Sequence, residues 1–247
     1  MKSKRVSQSR TFLSPEIQAE TISTLMQRLE KKTTRNGVHQ LRVAVRRSRT
    51  AIWLIENSSV CIRFRPLDRK LKKLASHLGE LRELDVVVRD AEKFDLHSGK
   101  LERLLSRTRK KFQKFMQKKG SKRLITDLFS TDEEIKGLAG LDYGVAMEKL
   151  REKLALYSGD EGVMPVDFHD FRKALKKTRY SLEALAIPAT PLISLIDVLG
   201  KWHDLCSLEA AFSKSKAIRH AKRNLQHQAT ELFAPVLAFA EVELAKG

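Results

Sequence analysis

The sequence predicts an all-α protein, and three observations carry that expectation. Apolar residues recur at i, i+3, i+4 and i+7 through long segments, the spacing that gives a helix one apolar face. The 11 glycines and 6 prolines are few and gather at the boundaries of those segments. No convincing strand pattern remains between them.

The elements follow in order. Ser14-Pro15-Glu16 is a start signal, with Ser14 as N-cap, Pro15 at the first helical position and Glu16 on the positive end of the dipole; it predicts a first helix to Lys32. Asn36-Gly37 separates that helix from the next. Further helices are predicted at about 38 to 57, 66 to 94, 99 to 128, 142 to 157, 167 to 186, 191 to 210 and 215 to 245. Breaks cluster at Ser130-Thr131-Asp132, Gly137 and Gly140, then at Ser158-Gly159-Asp160-Glu161-Gly162, so the midpoint reads as a linker. The chain is expected to be one domain, 1–247, made of two halves at about 10–130 and 138–247.

Similar text stands on either side of that linker. His39-Gln40-Leu41-Arg42-Val43-Ala44-Val45-Arg46-Arg47-Ser48-Arg49 corresponds to His169-Asp170-Phe171-Arg172-Lys173-Ala174-Leu175-Lys176-Lys177-Thr178-Arg179. On a helix, His39, Arg42, Arg46 and Arg49 fall within an arc of roughly 80°. Leu41, Ala44, Val45, Ser48, Ile52 and Ile55 take the other side. Phe171, Ala174, Leu175, Thr178, Leu182 and Leu185 do the same opposite His169, Arg172, Lys176 and Arg179. Exposed helix faces usually interleave acids with bases, because like charges one turn apart repel. Two acid-free cationic stripes at matched spacing therefore point to an anionic ligand. A second repeat follows each first one: Leu78-Gly79-Glu80-Leu81-Arg82-Glu83-Leu84-Asp85 and Leu199-Gly200-Lys201-Trp202-His203-Asp204-Leu205-Cys206. A repeated glycine inside a helix suggests a close approach or a kink.

Charge narrows the function. Forty-eight Lys and Arg against 30 Asp and Glu give +18, an excess most simply explained by an anionic partner. Aromatic content of 6% argues against stacking platforms for single-stranded nucleic acid. Cys61 and Cys206 form no CxxC pair, which speaks for neither a disulfide framework nor a zinc site. Neither His39 nor His169 has a His or Cys partner one turn away, and no triad, HExxH or Walker loop is visible. A non-catalytic protein without metal or cofactor is expected. No apolar run suits a signal peptide or a membrane span, so the expected location is cytoplasmic.

The strings His39 to Arg49 and Leu78 to Asp85 resemble the CHAD family, the conserved histidine α-helical domain, and their second copies match more loosely. The resemblance implies two helical bundles related by a pseudo-two-fold axis, a central basic groove or channel, and binding of inorganic polyphosphate. Its site positions fall on His39, Arg42, Arg46, Arg49 and Arg82, and on His169, Arg172, Lys176, Arg179 and His203. Lys73, Arg219 and Arg223 complete the expected polyphosphate contacts. The runs Arg103, Arg107, Lys110, Lys111, Lys114, Lys118 and Lys214, Lys216, Arg219, Arg223 read equally as groove lining or as solvated exterior. Trp53 extends the first stripe and reads as a packing residue. The rival partner is nucleic acid, supported by charge alone; an enzyme acting on polyphosphate is the weaker alternative.

Overall fold

The computed structural model describes residues 15–60, 62, 64–138, 141–157, 168–212 and 215–246. Among them are nine helices and no strand: α1 (Ala19–Lys31), α2 (Arg35–Glu56), α3 (Arg65–Lys93), α4 (Gly99–Met116), α5 (Lys119–Lys136), α6 (Gly144–Ala155), α7 (Phe168–Ala184), α8 (Thr190–Ala211) and α9 (Lys216–Leu244). The all-α expectation holds.

Four boundaries differ from the sequence reading. Ser14 lies outside the described residues, while Pro15 and Glu16 precede α1, which starts only at Ala19. The segment before it lies against α2, with Ile17 buried and the Gln18 N–H donating to Ser48 Oγ at 3.0 Å. Tertiary packing thus claims the residues that local signals assign to a first turn. Asn36 and Gly37 belong to the first turn of α2, not to a separator, because Thr34 accepts from the Gly37 N–H at 3.1 Å and caps the helix there.

The expected single helix at 99–128 is two. Phe112 and Met116 seat α4 in the core, but the next buried residues are Ser121, Leu124 and Leu128. In one continuous helix those three would point roughly 100° or more away from the α4 seam. An extended Lys118 (φ −67°, ψ 145°) resets the phase, and Ser121 Oγ donates to the Phe115 carbonyl at 2.8 Å across the break. Ser130-Thr131-Asp132 is helical rather than a break: Thr131 and Asp132 are buried in α5, and Lys136 pairs with Asp132 at 2.9 Å. Gly137 ends that helix, whereas Gly140 and 158–162 lie outside the described residues.

The apolar faces read from the repeat are the faces that pack. Leu41, Ala44, Val45, Ser48, Ile52 and Ile55 are all buried, as are Phe171, Ala174, Leu175, Thr178, Leu182 and Leu185. Helix α2 packs on α1 and α3, and α7 on α6 and α8, while α2 meets α7 and α3 meets α8. These four central helices carry the repeated strings. At one end of the α3 and α8 contact, Val87 and Ala91 join Leu205, Leu208 and Ile218 in a separate apolar cluster. Leu208→Ala is expected to cost about 2–5 kcal/mol by leaving a cavity there, read as a lower midpoint in denaturant unfolding.

Candidate functional site

Helices α2 and α7 bring their cationic stripes to the same cleft, and α3 and α8 flank it. Two cavities occupy the cleft. One, of about 480 Å³, is lined by Arg42, Arg46, Arg49, Trp53, His169, Arg172, Lys176 and Lys177 among others. The second, of about 530 Å³, is lined by His39, Arg42, Arg46, Gly79, Arg82, Arg172, Lys176, Arg179, Gly200, His203 and Asp204 among others. Arg42, Arg46, Arg172, Lys176, Tyr180 and His203 border both, so the two form one tract with its cations in the middle. Lys73, Arg219 and Arg223 are exposed and line neither cavity. The cationic run on α4 also stays outside both.

The ends of the stripes are neutralised and their centre is not. Arg49 Nε donates to Asp68 at 2.7 Å, and Arg179 Nε donates to Glu183 at 2.7 Å. Glu183 also takes Arg47 at 3.5 Å. Arg42, Arg46, Arg172 and Lys176 meet no carboxylate within ion-pair distance among the described residues, and the Nε of Arg172 is buried without a hydrogen-bond partner. A buried donor left unmet costs about 1–3 kcal/mol. Arg172 borders both cavities, so its side chain stands where an acceptor could meet it.

The repeated glycines explain how the guanidinium groups reach the centre. A Cβ on Gly79 would stand 3.2 Å from Arg42 Nη1, and one on Gly200 would stand 3.5 Å from Arg172 Nη2. In each half the flanking helix therefore lacks a side chain where the stripe arginine passes over it. Of the two readings open from sequence, close approach holds at both positions, and the approaching group is a guanidinium.

The electrostatics follow from crowding. Burial, reinforced by Arg172, Arg46 and Arg42, pushes the Lys176 ammonium down to about 6. Burial and Arg46 bring Arg42 down to about 10. His39 is lowered by burial and by Arg82 and Arg42. Burial and Arg172 lower His203 to about 4. Its Nδ1 lies 3.3 Å from Nδ1 of His169, within hydrogen-bond distance. Asp204 lines the same tract, and burial raises its carboxyl despite Arg82 and Arg172.

The Asp85 and Cys206 positions, unlike in chemistry, do matching work. Buried Asp85 accepts from Arg109 Nη2 of α4 at 2.7 Å. Cys206 hydrogen-bonds Lys222 of α9, which also pairs with Glu209. Each position ties a flanking helix to the one after it. Three of the groove residues missed in the sequence sit against its cations. Tyr180 lies under Arg46 and Arg179, with guanidinium carbons 5.7 and 5.5 Å from its ring centre. Lys177 sits 3.4 Å from the centre of the Trp53 ring, where burial and Lys149 bring it down to about 8. Asp204 is the third. Tyr180 directly follows the second repeat string, which was the available signal; nothing in the spacing pairs Lys177 with Trp53. Among the described residues no group of three or more His, Cys, Asp and Glu is placed to hold a metal ion.

A family model described as the CHAD domain matches residues 19–213. Two solved structures share the fold: the CHAD domain from the plant Ricinus communis, at TM-score 0.59 and 20% identity over 97% of this chain and 95% of that one, and PptA from Streptomyces chartreusis, at TM-score 0.53 and 14% identity over 93% and 95%. No curated protein matches in sequence.

The glycine geometry is testable directly. Gly79→Leu is expected to leave helicity unchanged while displacing the Arg42 guanidinium, so that tripolyphosphate binding by calorimetry falls as far as in Arg42→Ala. Wild-type binding in Gly79→Leu would refute that role for the glycine.

Proposed function

The chain belongs to the CHAD domain family, and from that premise and the uncompensated cations of the cleft we propose that it binds inorganic polyphosphate without turning it over. The observation that carries the reading is the convergence of Arg42, Arg46, Arg172 and Lys176 on one tract, with the Arg172 Nε unmet. An unbranched chain of phosphoryl groups offers a charge at every unit and needs no reading of bases. Arg42, Arg46 and Arg172 present planar forks that match phosphoryl oxygens in pairs, and Lys176 adds a point charge. Cavities of this size accept a narrow chain end or a short internal segment. A nucleic-acid duplex does not enter them, which leaves the nucleic-acid reading without support in the cleft.

Binding draws a proton into the site. In the free protein Lys176 is held down to about 6, so above neutral pH it is largely uncharged. A polyanion beside it favours the ammonium and raises that value. The free state thus binds fewer protons than the complex, and affinity rises as pH falls until the pH drops below about 6, where the free lysine is already charged. The ligand supplies the counter-charge that the fold omits.

Reversing Arg42→Glu together with Arg172→Glu is expected to abolish polyphosphate binding while circular dichroism stays unchanged; undiminished affinity would contradict the proposal. Wild-type affinity should also fall steeply with salt, since neutralised phosphates release counterions. Between pH 9 and 7 at fixed salt, wild-type affinity is expected to rise by up to about tenfold per pH unit, the limit for one proton taken up. Lys176→Arg keeps its charge and should lose the part of that rise due to Lys176, leaving only what Lys177, held down to about 8 in the same tract, contributes. Parallel profiles for the two would remove Lys176 from the mechanism.

A further inference from the structure

The strongest uncompensated charge outside the cleft lies on α4. From Arg103 to Thr126 the chain carries no acidic residue. On α4, Arg103, Arg107, Lys110, Lys114 and Lys118, the last just beyond its end, fall within an arc of roughly 80°, directly opposite Leu105, Phe112 and Met116, which seat the helix. All five are exposed. The ridge they form is about 22 Å long at 1.5 Å per residue. Within this stretch Arg109 and Lys111 are the residues found in ion pairs, with Asp85 and Glu80, and both pairs point back toward α3 rather than along the ridge. Successive like charges one turn apart repel one another, so an ordinary solvated face would carry intervening acids.

The ridge is not isolated from the cleft. Helix α3 lies between them and belongs to both. Gly79 and Arg82 line the cleft, whereas Glu80 and Asp85 face α4 and hold Lys111 at 3.7 Å and Arg109 at 2.7 Å. Asp85 also lies 3.8 Å from Arg35, and the charges of Asp85 and Arg35 both act on Arg82. Cations therefore continue from Arg82 past Arg35 and Arg109 to the α4 surface. The five ridge side chains are Lys and Arg alone, with no aromatic ring to stack a base, so the complementary surface is phosphate.

We propose that the outward face of α4 is a second polyanion track, followed by a polyphosphate chain too long for the cleft after it leaves beside Arg82. The proposal rests on the reading of the cleft as a polyphosphate site and extends it to chain length: short chains fill the cleft alone, and long chains engage cleft and ridge together. Linking the two contacts in one chain makes the second an intramolecular event, which adds affinity without any new contact in the cleft.

The test combines Arg103→Gln, Arg107→Gln, Lys110→Gln and Lys114→Gln, all at exposed positions, with circular dichroism to confirm the fold. Tripolyphosphate and a long-chain polyphosphate are titrated across a salt series. The quadruple variant is expected to bind tripolyphosphate like the wild type but long-chain polyphosphate at least tenfold more weakly. Its long-chain salt slope should be shallower by about 3, at roughly 0.7 per cation removed, the single-strand value. Long-chain affinity and slope equal to those of the wild type would overturn the ridge. Duplex DNA that wild type binds as tightly as long-chain polyphosphate at matched phosphate, and that the variant loses equally, would also overturn it by assigning the track to nucleic acid. Arg42→Glu with Arg172→Glu, run in parallel on tripolyphosphate, separates the two readings. Retained tripolyphosphate binding there would refute the cleft whatever the ridge does.

Discussion

Like charges held together away from water are the constraint around which this fold is arranged. Two unit charges 4 Å apart interact by about 4 kcal/mol at an effective dielectric of 20, and the cleft gathers Arg42, Arg46, Arg172 and Lys176. Such a cluster persists only if other contacts press the helices together. The buried faces of α2 and α7 do so along the length of the stripes, and the Val87, Ala91, Leu205, Leu208 and Ile218 cluster does so at one end of α3 and α8. Burial then acts on the cluster itself and brings the Lys176 ammonium down to about 6.

Carboxylates are placed so that they shape the site without filling it. Asp68 and Glu183 quiet the far ends of the stripes, at Arg49 and Arg179. Asp85 steadies the flanking helix through Arg109. Asp204 lies beside Arg82 and Arg172, and burial raises its carboxyl against their pull. The result is a graded interior, in which the centre of the tract carries the strongest demand for an anion.

Much of this was legible in the sequence because helical periodicity and charge are local properties. The faces of α2 and α7 could be drawn from spacing alone, since the same 3.6-residue period places both the core and the stripe. The repeated glycine was visible as a repeat, but its purpose was not: that Gly79 clears a path for Arg42 requires knowing which helix lies across it. The break between α4 and α5 carries no Pro and no start signal; Gly120 and the five-residue step from Met116 to Ser121 are its traces in the sequence. Pro15 failed as a helix start because Ile17 and Gln18 find partners across the chain, and such partners have no trace in local sequence. Lys73, Arg219 and Arg223 share the composition of the groove residues but point elsewhere, and composition does not encode direction.

The central claim is that the two stripes tolerate each other because a linear anion belongs between them. A crystal of the protein soaked in tripolyphosphate tests it most directly, through where phosphoryl density appears. Density running between α2 and α7, within hydrogen-bond reach of Arg42, Arg46, Arg172 and Lys176 and meeting the Arg172 Nε, is the expected result. Anions confined to the outer faces of the helices, with an ordinary water-filled cleft, would contradict it.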